Sequence, residues 1–340
     1  MKGRVIALGQ VDGADAAALI EDGRLQDILF DSDLPRPGTI YRAIAERPVK
    51  GQGGMFLRTP DGTVFLRQIK GLAVGKPMLV QVTGYAETGK AIPVTSRVLF
   101  KSRYAIITPG APGVNVSRAL SDDRRDALIV LGKEQMQDHG FGLILRSACA
   151  TADDENIAED IDRMAHLATA VMQDGASPDA EKLVEGEGPH DLAWRDWPTA
   201  EVWADEADAF EHHGVLDALE ALNSPKVPLS AGASMYVEPT RALVAVDINS
   251  GTDTTPAATV KANMAAAREL PRQLRLRGLG GQVVMDLAPM PKKDRRMFES
   301  TLKAAFRKDS VETALVGWTP LGHYELQRKR DRLPLPMVRA

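Results

Sequence analysis

The sequence predicts an α/β protein built from several parts. Three observations carry that expectation. Residues 39–100 hold short alternating strands separated by turns. From 234 to 318, strands alternate with long helices, the signature of an α/β layer. The chain has 340 residues, more than the ~150 of one ordinary domain.

The elements follow in order. Residues 1–37 open as strand, turn, strand, with RVIALG before Asp12-Gly13 and a second hairpin dipeptide at Asp22-Gly23. LPRPGT, 34–39, reads as a linker by its prolines and glycine. The five strands within 38–100 suggest a small barrel of the OB architecture. Residues 101–150 predict strands around a helix: RYAIITP, SRALSDDRRDALIVLG and FGLILRSAC. Helical stretches AEDIDRMAHLATAVMQ and VLDALEALN fall in 151–227. In 228–340, SMYVEP, ALVAVDINSG, GGQVVMDLAP and ETALVGWTP read as strands, and the segments between them supply two helices. That alternation predicts a parallel sheet.

Composition bounds the function. One cysteine excludes a disulfide framework or Cys-rich zinc site within the chain. No apolar run reaches the ~18 residues of a membrane span, and the start lacks the apolar core of a signal peptide, so a reduced cytoplasm is expected. The net charge of −4 hides an asymmetry: residues 229–340 carry a net +7 and residues 1–228 a net −11. The acidic excess sits in 151–220, where it is either a solvated face or a surface that repels nucleic acid.

Two carboxylates stand out. Asp247 ends the run ALVAV and Asp286 ends QVVM, with a helix between them. A strand–helix–strand unit makes the strands parallel, so both aspartates fall at one sheet edge, where ligands collect in open α/β sheets. Neighbouring strands are ~4.8 Å apart, close enough for two carboxylates to share a hard cation such as Mg²⁺. Asn249 offers a further oxygen or a positioning hydrogen bond. An aspartate at a strand end also caps turns, so either residue alone is ambiguous. Basic residues surround the pair in sequence. Arg268, Arg272 and Arg275 form one helical stripe followed by Arg277. Lys292, Lys293, Arg295 and Arg296 follow Asp286, and Arg328, Lys329, Arg330 and Arg332 lie near the end. These suit phosphate contacts, and each run also reads as a solvated face.

ALVAVDINSG, NMAAARELPRQLRLRGLGGQVVMDLAPM and GHYELQRKR, in that order, resemble the catalytic region of the ribonuclease E/G family. The resemblance implies a Mg²⁺-dependent endoribonuclease for single-stranded RNA. It implies an RNase H-like part (1–37 and 151–227), an inserted S1-type RNA-binding barrel (38–100), a 5′-end sensor (101–150) and a deoxyribonuclease I-like catalytic part (228–340). The family's metal-holding aspartates match Asp247 and Asp286, with Asn249 as helper. Phe56 and Phe65 match its RNA-stacking aromatics, and Lys90 a basic partner. Arg146 and Ser147 match an Arg-Thr pair that holds a 5′-monophosphate. Tyr104 and Ile106 lie in the matching strand, and Ser102 replaces a family glycine.

The sequence also departs from the family. The CPxC zinc link is missing from these residues, so a zinc-joined dimer is not expected and the oligomeric state stays open. The Asp247-to-Asp286 gap is short, and Pro271 falls inside the connecting helix, where proline removes a donor or forces a kink. Cys149 matches no family role and reads as a small buried hydrophobe. The committed expectation is an endoribonuclease of RNA processing or decay that leaves 5′-phosphate ends. Its alternative is a non-catalytic RNA-binding protein with the same fold.

Overall fold

The computed structural model describes residues 3–49, 53–69, 71–87 and 89–335. They form two compact units: one runs from Asp33 to Pro198, and the other joins the residues up to Ser32 with those from Thr199 onward.

β1 (Arg4–Val11), β2 (Ala14–Glu21) and β3 (Arg24–Phe30) form successive antiparallel hairpins. Asp12 and Gly13 have φ of 52° and 83°, and Asp22 and Gly23 of 51° and 75°. Two left-handed residues in a row are what a two-residue type I′ turn requires, which explains both Asp-Gly dipeptides.

The barrel follows. β4 (Ile40–Val49), β5 (Gly54–Thr59), β6 (Gly62–Leu66), β7 (Pro77–Val82) and β8 (Ile92–Thr95) pair in a ring. β4 bonds to both β5 and β7, and β8 joins β6 to β7, so five strands close. Leu57, Val64 and Val80 are fully buried inside, and this fits an OB-type barrel.

β9 (Phe100–Lys101), β10 (Ala105–Thr108), β11 (Gly113–Val116) and β12 (Gly142–Leu145) form a sheet in the order β11-β12-β10-β9, with α1 (Asp122–Gln135) between β11 and β12 in the chain. α2 (Asp154–Asp174) lays Ile157, Ile161 and Ala168 on Ile107, Leu143 and Leu145. β13 (Glu181–Val184) extends the barrel at β4, and α3 (Pro189–Asp196) completes this unit. Residues 151–198 therefore do not pack with the N-terminal strands, as the grouping of 1–37 with 151–227 implies. The apolar stripe of α2 matches the sheet of β10 and β12 instead. After Thr199, β14 (Val202–Ala204) pairs in parallel with β1, and α4 (Ala209–His212) and α5 (Val215–Ala221) cover that sheet through Phe210, Val215 and Leu219.

The last sheet holds β15 (Lys226–Pro228), β16 (Ser234–Pro239), β17 (Val244–Asn249), β18 (Gly281–Asp286), β19 (Thr313–Trp318) and β20 (Tyr324–Arg328), in the order β15-β16-β17-β18-β20-β19. α6 (Pro256–Leu276) links β17 to β18, and α7 (Arg295–Arg307) follows β18. Only β17 and β18 run parallel; the expected parallel layer is a mixed sheet. The reason is β20, which lies in the basic run GHYELQRKR. It turns back on β19 and inserts beside β18. Both helices pack on one face, where Val246, Ile248, Met285 and Leu326 meet Leu270, Leu274, Phe298 and Leu302. α6 is continuous through the buried Pro271, so proline neither ends nor splits it.

Candidate active site

Alternation along the strands puts Val246, Ile248 and Met285 toward the helices and Asp247, Asn249 and Asp286 on the opposite, exposed face. Asp247 and Asp286 are direct Cα partners across the parallel pair. Among the described residues neither carboxylate pairs with a lysine or arginine. Asn249 Nδ2 donates to Asp247 Oδ2 at 2.7 Å, which orients one carboxylate and leaves its other oxygen free. His323 Nε2 lies 3.7 Å from Asp286 Oδ1. Beneath the pair, fully buried Asn263 on α6 grips the chain after β18: its Nδ2 donates to the Ala288 carbonyl at 2.9 Å and its Oδ1 accepts from the Ala288 N–H at 3.1 Å. Thr255 caps α6 by accepting from Ala258 N–H at 3.3 Å, with Pro256 in the first turn. The elements on both sides of the pair are thus anchored.

Lys292 and Lys293 are exposed on a short 3₁₀ turn after Asp286, and neither makes an ion pair among the described residues. Arg295 stacks over the Trp318 ring at 4.2 Å. The α6 stripe is elsewhere. Asn263 marks the level of the chain after Asp286, and Arg272 is nine residues further along the helix, about 13 Å at 1.5 Å per residue. Arg272 donates to Glu269 and the Leu25 carbonyl, both at 2.6 Å. Arg275 pairs with Asp309 and donates to the Gln26 carbonyl. These two guanidiniums dock β3 on α6 and do not gather at the carboxylates. Arg268 donates to the Met264 carbonyl and lines the same α6–α7 cavity, of about 730 Å³, as Arg272 and Arg275. Arg328, in the last basic run, is 2 % exposed and pairs with the buried Asp309.

On the barrel, Phe56 and Phe65 are cross-strand partners, half-exposed, with ring centroids 5.1 Å apart. The Phe65 ring lies over Gly54, where a Cβ would collide with it. The Arg47 guanidinium sits 4.9 Å from the Phe56 centroid, a cation–π contact. Lys90 is exposed and held by Glu87 at 2.8 Å.

Arg146 precedes the 3₁₀ turn Ser147–Ala150, and the Ser147 side chain is exposed. Ile106 lies on β10 opposite Ile144 and Lys101. Arg146 Nη1 donates to the carbonyls of Ser102 and Arg195, and Nη2 to Asp196 Oδ1 at 2.6 Å. Asp196 also takes Lys101 at 2.8 Å and Arg195 at 2.7 Å. Burial pushes the Asp196 carboxyl up, but Arg195 and Lys101 outweigh it and hold it well below its usual range. For Lys101 burial wins, and its amine is lowered despite the same Asp196. Burial raises Glu187, the second partner of Arg195. This acidic contact escapes sequence reasoning because Asp196 lies fifty residues beyond Arg146. Ser102 is buried, with its hydroxyl on Asp160 Oδ2 at 2.5 Å. Cys149 is buried too, and burial pushes its thiol up to about 11.

The sequence matches the Ribonuclease E/G family over residues 100–202 and 194–331. The chain belongs to the ribonuclease E/G family. It is 27% identical to ribonuclease G of Salmonella typhimurium (strain SL1344) over 93% of this chain and 77% of that protein. It is 27% identical to ribonuclease G of Escherichia coli (strain K12), with the same coverage. It is 25% identical to ribonuclease E of Nostoc sp. (strain PCC 7120), where 93% of this chain spans 54% of the relative. Among the described residues no helix is long and apolar enough to cross a membrane.

Proposed function

We propose that this family member is an endoribonuclease that cleaves single-stranded RNA in cytoplasmic RNA processing or decay. The observation that carries the reading is the Asp247–Asp286 pair: two exposed, cation-free carboxylates as direct partners on adjacent parallel strands. A pair with no other neutralising charge fits a divalent cation. Among the described residues no group of three or more His, Cys, Asp or Glu is gathered around a metal position. A two-carboxylate site of this kind suits Mg²⁺, which keeps several waters. When bound, the cation supplies Lewis-acid stabilisation of phosphate charge and a more acidic water.

The chain's own residues do the rest. Asp247 and Asp286 hold the cation, Asn249 fixes the Asp247 carboxylate, and Lys292 and Lys293 attract the flanking phosphates. Water oxygen attacks phosphorus, the P–O3′ bond breaks, and the 3′ oxygen takes a proton, leaving a 5′-phosphate and a 3′-hydroxyl. On the barrel (38–100), Phe56 and Phe65 stack bases and Lys90 adds charge. In 101–150, Arg146 and Ser147 beside Ile106 receive a 5′-monophosphate. Residues 228–340 form the catalytic part.

The test is cleavage of single-stranded RNA bearing a 5′-monophosphate, triphosphate or hydroxyl, with and without Mg²⁺, by the wild type, Asp247→Asn and Asp286→Asn. Cleavage that needs Mg²⁺ and is lost in both variants supports the reading. Cleavage persisting in both variants removes the metal pair. Binding without cleavage by the wild type establishes an RNA-binding protein instead.

A further inference from the structure

His323 stands beside the carboxylate pair without being consumed by it. β18 and β20 are antiparallel with Met285 opposite Tyr324, which brings His323 to the position next to Asp286. Asp286 partners Asp247, and Asp247 partners Tyr236. One row across four strands therefore reads Tyr236, Asp247, Asp286, His323, on the face away from α6 and α7. The 3.7 Å between His323 Nε2 and Asp286 Oδ1 exceeds a hydrogen bond. Among the described residues the imidazole has no hydrogen-bond partner, and it is 36% exposed.

The backbone under this ring is fixed. His323 N–H donates to Thr319 Oγ1 at 3.1 Å, and Thr319 N–H donates to the His323 carbonyl at 2.8 Å. Tyr324 next to it is 4% exposed, and its ring packs edge-on against Trp318 and Phe298. These main-chain bonds and this aromatic cluster close the hairpin without help from an imidazole. The structure thus presents a rigidly mounted N–H donor, with no partner of its own, at the end of the acidic row.

We infer that His323 is a further substrate-contacting residue of this site, donating from a ring N–H to a non-bridging oxygen of the phosphodiester held at Asp247 and Asp286. The inference rests on the endonuclease reading. Charge spreads over those oxygens as the P–O bond breaks, and a preorganised donor aimed there stabilises the transition state. The role needs no change of charge, because imidazole keeps one N–H in its neutral form.

The test uses the full chain, a fluorescent single-stranded RNA and Mg²⁺ in single-turnover cleavage, with His323→Ala and His323→Gln. The expected result is a loss of about 100-fold in the cleavage step for His323→Ala, the scale of one lost transition-state donor. RNA affinity and calorimetric Mg²⁺ affinity should stay at wild-type values. His323→Gln, which keeps a donor, should recover a good part of the rate. Sulfur in place of one non-bridging oxygen should slow the wild type more than His323→Ala. Wild-type rates in His323→Ala, or a loss traced to weaker Mg²⁺ binding, overturn the inference while leaving the nuclease reading intact. If His323→Ala melts early, a fully active His323→Gln with an unchanged thio effect makes the role structural and overturns it as well. A wild type that does not cleave overturns the nuclease reading and this inference together.

Discussion

Asp196 accepts a hydrogen bond from Nη2 of Arg146 at 2.6 Å, so the guanidinium expected to meet a 5′-phosphate already holds a carboxylate of its own chain. Nη1 of Arg146 is committed to the carbonyls of Ser102 and Arg195. An incoming phosphate therefore competes with Asp196, which has three cations to lose. Asp196→Asn keeps the shape and removes the charge. The expected outcome is a stronger preference for 5′-monophosphate over 5′-hydroxyl RNA by about tenfold, since a charge-assisted hydrogen bond contributes about 1.5–3 kcal/mol. Competition between the two RNAs in one cleavage assay measures it. An unchanged ratio would mean that Arg146 does not read the 5′ end.

The same cluster predicts an acid response. Asp196 has a folded pKa held below its unfolded value of about 3.9. Its stabilising contribution is therefore complete above that value and is lost as pH falls below it. Glu187 is raised by burial and acts in the opposite sense, its cost at neutral pH being relieved on acidification. Urea midpoints of the wild type should drop between pH 5 and pH 3 more steeply than those of Asp196→Asn. Glu187→Gln should steepen the wild-type drop, because it removes the opposing effect. Parallel curves for all three proteins would contradict this account.

Phe56 and Phe65 give a third prediction. Their rings are half-exposed on the barrel, 5.1 Å apart, and Gly54 leaves room for Phe65 to lie flat. Stacking contributes about 1–3 kcal/mol per base, so Phe56→Ala with Phe65→Ala should weaken RNA binding about 100-fold. The loss is apolar, so the salt dependence of binding should not move. Gly54→Ala should reproduce part of the effect by displacing the Phe65 ring. Fluorescence anisotropy across a salt series separates these outcomes.

What was legible in the sequence follows from the range of each interaction. Asp247 and Asp286 could be paired from sequence because a crossover rule acts on a short strand–helix–strand unit. The Asp-Gly hairpins and the barrel strands are local signals of the same kind. The fate of Arg272 was not legible, since its carbonyl partner at Leu25 lies 247 residues away. Nor was the partner of Arg146, for the same reason. GHYELQRKR looks like a basic tail, yet as β20 it buries Tyr324, Leu326 and Arg328 and exposes only the alternate positions. A period of two is hard to see when one buried residue is an arginine. That misreading also hid His323, whose position is set by the register of β20 on β18.

Charge alone does not tell which arginines and lysines meet RNA, and two sets of variants make the distinction measurable. Lys292 and Lys293 are exposed, without ion pairs among the described residues, and follow Asp286 directly. Lys292→Ala with Lys293→Ala should leave the urea midpoint unchanged and lower the salt slope of RNA binding by about two, one per lost phosphate contact. Arg275 and Arg328 converge on Asp309, whose side chain is fully buried. Removing one arginine strands part of that carboxylate's charge in the interior. Arg328→Met should therefore cost about 3 kcal/mol of stability, the lower end for breaking a buried pair. Its RNA affinity, measured where the protein is still folded, should match the wild type with the same salt slope. A reduced slope in Arg328→Met at unchanged stability would reverse the assignment and return the last basic run to the RNA-binding surface.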